Sequence, residues 1–454
     1  MKLLDLEWRS PLAAFAPLAH EGGAVLLHGG AASIGADWSM IAASPSRRIE
    51  SVKGVTRIDG QISSLSPFEA LAREHERRRA EGDCLSPLAS GLIGFAGYEA
   101  GRFVEPTAAG PGAPYDVPDF SFGAYDAVAS FNRQTRRAVV AGRTSADAER
   151  LAARLGVDDA GPLGNGTMFD APHSNFTRDR YCAVVARVID RIRRGEIFQA
   201  NISQRFVMTA LNSFDPYRLF CAASVESSGA FGAFLPVGEA AIISLSPERF
   251  FAVERREDGR FAIIAEPIKG TRPRGATPED DARLLAELVA DPKDRAENIM
   301  IADLTRNDLS RICDDFSIRE AAICAPQSHA TVHHLVSRVG GVLRKELSAA
   351  DALAALFPCG SITGAPKVQS MKVIADIEGM GRGPYCGAIG YIDDRGGADF
   401  SVAIRMAIAD RGGVSVPVGG GVTLRSDPQA EYEETLAKAQ QFFRLLGLKV
   451  PQGS

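Results

Sequence analysis

The sequence predicts an α+β fold in which antiparallel β-sheets pack as a sandwich and are surrounded by helices. Two observations carry that expectation. Strand-like runs come in hairpin groups instead of alternating singly with helices, which argues against a parallel sheet. Between the groups lie stretches of helical periodicity that open on capping residues and proline. With 454 residues, the chain is long enough for one large core, or for two cores packed as one body.

In chain order, residues 1–165 mix short apolar runs such as Ala24-Val25-Leu26-Leu27 with Gly/Pro-rich connections, and carry helical patterns at 67–81 and 145–155. The run Gly161-Pro162-Leu163-Gly164-Asn165-Gly166-Thr167 reads as a linker, so a boundary is expected near 166, with an N-terminal region 1–165 and a second region 166–454. Asn175 to Asp179 reads as a cap before a helix at 179–194. Strands follow at 197–208 and 240–254, the latter returning through the charged turn Arg255–Arg260 into 261–268 as an antiparallel hairpin. Helices are expected at 279–290 and 292–304, a strand near 331–343, helices at 350–356 and 364–377, strands at 385–393, 398–409 and 413–418, and a closing helix at 428–446.

Composition narrows the partners. A net charge of −5 argues against nucleic acid. The sequence holds no uncharged apolar run of about 20 residues, so no membrane span is expected. Seven cysteines, an odd number without a CxxC pair, fit a reducing cytoplasm better than a disulfide or zinc framework. The first residues, Met1-Lys2-Leu3-Leu4-Asp5-Leu6-Glu7, place acids where a signal peptide needs positive charge.

Two segments share a construction that bears on chemistry. Asp291-Pro292-Lys293-Asp294-Arg295-Ala296-Glu297 and Asp427-Pro428-Gln429-Ala430-Glu431-Tyr432-Glu433-Glu434 each open a helix with an Asp cap and a proline at the first helical position. Each then sets two acids three apart, on one helix face: Asp294 with Glu297, and Glu431 with Glu434. If the helices face one another, four carboxylates share a pocket and need a cation, for which all-oxygen donors suit Mg²⁺. Acids near helix N-termini also complement the dipole, and spacing alone leaves both readings open. Lys438, four residues past Glu434, is either a helical ion pair or a substrate contact.

Other polar positions are equally two-sided. Gly419-Gly420-Gly421 is a simple turn or a set of bare N–H groups for a carboxylate. Arg405, within the apolar strand Phe400–Ala407, needs a protein acid or a substrate anion. Lys269, at a strand end beside Gly270, is solvated or, if desolvated, a nucleophile. His333 and His334 are adjacent in a strand and face opposite ways, so they form no joint metal site. Gly360 to Lys367 lacks the Gly-Lys-Ser/Thr ending of a phosphate loop, which excludes that mode of nucleotide binding.

These segments also resemble the chorismate-binding family of anthranilate, aminodeoxychorismate, isochorismate and salicylate synthases. The matching motifs are Gln199-Ala200-Asn201-Ile202-Ser203-Gln204-Arg205, Ser246 to Phe250, Pro267 to Arg272, Ile301 to Asp308, Phe357 to Lys367, Gly387 to Tyr391 and Glu431 to Lys438. They are densest over 180–446, so 166–454 is read as the catalytic region. The resemblance implies the anthranilate synthase component I-like fold. It also implies Mg²⁺ on Glu297 and Glu434, with Asp294 and Glu431 as neighbours or water-mediated ligands. Asp294 stands where the family more often has Glu.

By the same matching, Arg405, Tyr391 and the amides of Gly419 to Gly421 hold the enolpyruvyl side of chorismate. His334 and Thr363 lie near the ring, and Gln199, Thr271 and Lys438 join the substrate-binding set. Isochorismate and salicylate synthases carry lysine where this chain has Gln199, which disfavours water addition. Anthranilate synthases read Pro-Ile-Ala-Gly-Thr where this chain has Lys269, so the resemblance points to the aminodeoxychorismate type. Lys269 is then the nucleophile at C2 and Glu248 the acid for the departing 4-hydroxyl. Cys359 and Cys386 lack the glutaminase elbow, so ammonia is expected from a separate glutamine amidotransferase. The alternatives are anthranilate synthase activity, or a non-catalytic subunit that senses chorismate or tryptophan.

Overall fold

The computed structural model describes residues 2–29, 37–82, 84, 86–157, 161, 168–227, 229–329, 332–410 and 412–451. The strands form two twelve-stranded sheets whose neighbours are all antiparallel, with the fold class as the sequence predicts. The first sheet runs from an edge at Lys2–Leu6, through Val25–Gly29, Phe231–Val237, Ala240–Ser246, Met406–Asp410, Gly413–Val422 and Gln199–Thr209, to His173–Ser174. The second runs from Ile268–Pro273 and Val332–Val342, through Arg249–Arg255, Ala398–Val402, Ala388–Asp393 and Gly91–Ala96, to Gln61–Ile62.

The period of two along a strand explains why the first sheet's strands read as continuous apolar runs. Val25 and Leu27 join one core with the second sheet, while Leu26 between them joins another under the helices. Ile242 and Ile243 divide in the same way. The first core is the filling of the sandwich, with Phe95, Phe251 and Phe400 contributed by the second sheet. The second core is capped by helices Arg178–Arg193, Pro216–Glu226 and Pro428–Leu445, through Val185, Phe220 and Phe443 among others. A sheet buried on both faces shows no polar alternation.

Strands from both sides of residue 166 are neighbours in each sheet: Val25–Gly29 pairs with Phe231–Val237, and Gly91–Ala96 with Ala388–Asp393. Of the expected linker, only Gly161 lies among the described residues.

Two long strands expected from the sequence are each broken, and the breaks matter. The 240–254 run is Ala240–Ser246 in the first sheet and Arg249–Arg255 in the second, with Pro247-Glu248 at the crossing. The 398–409 run is likewise Ala398–Val402 in the second sheet and Met406–Asp410 in the first, with Ala403-Ile404-Arg405 between. Pro247 cannot donate to a ladder, and Arg405 adopts a left-handed φ of 52°. Each is a local reason for a corner in a uniformly apolar run. The helix expected from 364 starts at Lys367, because Gly364-Ala365 pairs with Gln199-Ala200. The strand Arg319–Ser328, the strand Phe231–Val237 and the helix Pro216–Glu226 were not anticipated.

A buried ion cluster ties the helix Pro67–Arg78 to the end of strand Ala388–Asp393. Arg78 donates to Asp394 at 3.0 and 3.1 Å, to Asp126 at 2.8 Å and to the Tyr125 carbonyl at 2.8 Å, while Ser90 and Arg143 also donate to Asp394. Arg78→Ala removes the two-pronged partner of buried Asp394 and leaves it Arg143 and Ser90, so a loss below the roughly 3–5 kcal/mol of a fully unpaired buried charge is expected. Urea unfolding of the full chain measures it.

Candidate active site

The two sheet crossings lie side by side. The Val402 N–H donates to the Glu248 carbonyl at 3.0 Å, and the Leu245 N–H to the Arg405 carbonyl at 3.0 Å. Both crossings open into one cavity of about 460 Å³, which Glu248 and Arg405 line together. The end of strand Ile268–Pro273 supplies Lys269, Thr271 and Arg272. Helices Pro292–Ser310 and Pro428–Leu445 face each other across the cavity. Each is capped as the sequence predicts, by Asp291 and Asp427, and they contribute Asp294, Glu297, Glu431, Glu434 and Lys438.

Gly419-Gly420-Gly421 is neither a turn nor a nest. It is the extended end of strand Gly413–Val422, paired with Ser203, Ile202 and Asn201. A Cβ at Gly419 would stand 2.5 Å from the Ile202 carbonyl, one at Gly420 2.9 Å from Glu431 Oε2, and one at Gly421 2.9 Å from Gln199 Nε2. The Gly419 carbonyl accepts from Lys438 at 2.7 Å, so it turns away from the paired strand. Gly421, two residues on, shares that direction.

Five carboxylic acids, and five lysine or arginine side chains, line the cavity. Lys438 donates to Glu434 at 2.5 Å, and Arg272 to Asp291 at 2.9 Å and Asp294 at 3.0 Å. Burial pushes Asp294, Glu297 and Glu431 above the ordinary carboxylate range, with Arg272 opposing it at Asp294 and lysines at Glu297. Glu434, against the same effect of burial, is held below that range by Lys438. Glu297 Oε1 is buried and has no hydrogen-bond partner among the described residues.

Beside these helices, Lys269 Nζ donates to the Ser361 carbonyl at 3.0 Å. Glu248 is 5% exposed, its Oε1 has no hydrogen-bond partner among the described residues, and burial pushes its carboxyl upward. His334 Nδ1 meets Thr271 Oγ1 at 2.9 Å, and burial, then His329 and Arg405, lower the imidazole to about 4, which keeps it neutral near pH 7. His333 faces away, held by Ser328 and Asp281.

Arg405 is reached by solvent through the cavity, although protein encloses it elsewhere and burial lowers its guanidinium. Its guanidinium makes no hydrogen bond or ion pair among the described residues, so the acid partner allowed for in the sequence is not found among them. It sits at a corner rather than inside a strand.

Four expected residues, Tyr391, Thr363, Gln199 and Gly420, do not line this cavity. Tyr391 lines a separate cavity with Arg249 and Asp399, and the tyrosine in the main cavity is Tyr385. Thr363 is fully buried, its hydroxyl donating to the Cys359 carbonyl at 2.9 Å. Gln199 stands behind Gly421, fully buried, with both amide atoms unpartnered among the described residues. Sequence reasoning missed Lys293, whose Nζ is 3.9 Å from both Glu297 and Glu431. The signal available was its i,i+4 spacing to Glu297.

The described residues include no cluster of three His, Cys, Asp or Glu close enough to hold a metal by themselves. The donor set still fits Mg²⁺, which commonly takes one or two carboxylates and leaves its other positions to water and substrate. Glu297 Oε1, buried and without a hydrogen-bond partner among the described residues, is the observation behind that fit.

Residues 27–444 match the family model for chorismate binding enzymes. Aminodeoxychorismate synthase component 1 of Klebsiella aerogenes is 34% identical over 98% of both chains. Anthranilate synthase component 1 of Thermus thermophilus is 32% identical over 90% of this chain and 88% of that one. Anthranilate synthase component I of Streptococcus pneumoniae superposes with a TM-score of 0.76 at 30% identity, covering 90% of this chain and 92% of that one. With the match running from the first sheet to the closing helix, the chain belongs to the chorismate-binding enzyme family.

Proposed function

We propose that this protein converts chorismate and ammonia to 4-amino-4-deoxychorismate, the precursor of p-aminobenzoate, with Mg²⁺ as cofactor and a separate glutamine amidotransferase as the ammonia source. The observation that carries the reading is Lys269, an amine on the cavity wall whose neighbours include the buried carboxyl of Glu248. The names of relatives at 33–34% identity over 98% of the chain add support, and their designation as component 1 supports a partner subunit.

In this mechanism Arg405 and Tyr385, with the N–H groups of Gly419 and Gly421, hold the enolpyruvyl carboxylate. Glu297 and Glu434, with Glu431 and Asp294 beside them, would hold Mg²⁺, which supplies positive charge for the ring carboxylate. The Lys269 amine bonds to C2 of the ring. The two ring double bonds shift, the C4–O bond breaks, and Glu248 gives its proton so that the hydroxyl leaves as water. Ammonia then bonds to C4, the double bonds shift back, and the C2–N bond to Lys269 breaks. One ammonia is consumed and one water released. Burial of Glu248 serves the first step, because it keeps the carboxyl protonated above the usual carboxylate range.

The deciding experiment is mass-resolved product analysis with chorismate, Mg²⁺ and ammonium salt. A product retaining the enolpyruvyl group supports this reading. Anthranilate with pyruvate moves the protein to the other branch of its relatives, and unreacted chorismate, with the glutaminase partner present, favours a sensing role. Lys269→Ala is expected to abolish amination and the intact-mass adduct of chorismate less water that forms without ammonia; wild-type rates in this variant would remove the covalent step. Glu248→Gln is expected to lower kcat by roughly 10²–10⁴-fold. The fall in wild-type rate as pH rises through the elevated Glu248 pKa should vanish in that variant, and a profile unchanged by it would assign the acid elsewhere.

A further inference from the structure

Helix Pro292–Ser310 carries a lysine where the physics of an isolated helix does not favour one. Lys293 is its second residue, in the first turn, where the helix dipole disfavours a cation. It also precedes Glu297 by four, the weaker order for a Lys/Glu pair. Its ammonium instead stands between two helices, with Nζ 3.9 Å from Glu297 Oε1 and 3.9 Å from Glu431 Oε1. Both separations exceed hydrogen-bonding distance, and Glu297 Oε1 has no other partner among the described residues. The lysine therefore balances two buried charges without using the bonding capacity of their oxygens.

The neighbouring cations are anchored. Lys438 is fixed by Glu434 at 2.5 Å and the Gly419 carbonyl at 2.7 Å. Arg272 is fixed by Asp291 and Asp294. The Lys293 side chain, 42% exposed, has neither short bond and opens to solvent. Resting on the reading that Glu297 and Glu431 belong to the metal site, we infer that Lys293 is a displaceable counter-ion. It neutralises that pair while no divalent cation is bound, and swings out to solvent when one enters. A cation tethered to the site lowers the affinity for metal alone. The dianionic substrate restores the charge balance, so metal and substrate load together.

The test is Mn²⁺ binding to the full chain without chorismate, followed by the EPR signal of free Mn²⁺, for wild type, Lys293→Met and Lys293→Gln. Removing the competing charge is expected to tighten Mn²⁺ binding by roughly 5- to 150-fold, the usual range for coupling between sites. It should also lower the melting temperature in EDTA, with Mn²⁺ restoring it. Lys293→Arg, which keeps the charge, should bind Mn²⁺ as weakly as wild type. Equal or weaker Mn²⁺ binding in the neutral variants overturns the role of the lysine alone. No Mn²⁺ uptake by any of the chains, with melting of Glu297→Gln also indifferent to Mn²⁺, overturns the metal reading and this inference with it.

Discussion

Two hydrogen bonds between the sheet crossings are the constraint on which the site depends. A chain that leaves one sheet of a sandwich for the other must interrupt two ladders, and the free backbone groups need partners. Here the crossings supply them to each other, Val402 to Glu248 and Leu245 to Arg405. That mutual pairing fixes where the corners sit. It also turns an acid and a base from the interior of apolar runs into the same cavity. Neither residue could be held there by an uninterrupted strand, whose side chains would be committed to the two cores above and below it.

The cavity is then a problem of charge. Five carboxylic acids and five lysine or arginine side chains are formally neutral together, but burial resists ionisation of Glu248, Asp294, Glu297 and Glu431. A dianion entering alone would face the carboxylate helices, and a dication alone would face three lysines and two arginines. The pair together leaves the balance unchanged, which is the electrostatic case for joint loading of metal and dicarboxylate in the proposed reaction. Glu434 is the exception among the four helix acids, because the 2.5 Å contact with Lys438 keeps it ionised.

Much of this was legible in the sequence, for identifiable reasons. The Asp-Pro openings at 291 and 427 announce helix starts by local chemistry alone, and the i,i+3 acids after them must share a face. The apolar runs at 24–27 and 240–246 announce buried strands. The corners were not legible as corners, because an apolar run reads the same whether the chain stays in one sheet or changes to the other. Pro247 was the available mark of the first, and Arg405 carries no local mark of a left-handed bend. Tyr391 and Thr363 lie off the main cavity for a related reason. Family motifs place a residue in a segment, whereas the strand pairing decides which cavity its side chain enters, and Tyr391 faces the smaller one.

The glycines at 419–421 show how little of such a site is chosen freely. A Cβ at any of the three would collide, and each with a different group: the Ile202 carbonyl, the Glu431 carboxylate and the Gln199 amide. The first is the neighbouring strand, so Gly419 answers to sheet packing. The second is a helix acid, so Gly420 sets how near the carboxylates approach the sheet. The third lies beside Lys269, whose Nζ is 3.5 Å from the same missing Cβ. A side chain at 421 would press on the buried amide and stand in contact with the amine, and substrate would lose the backbone edge that Gly419 and Gly421 share. Strand pairing, metal side and nucleophile side meet on one run of backbone, which is why that run can carry no side chains.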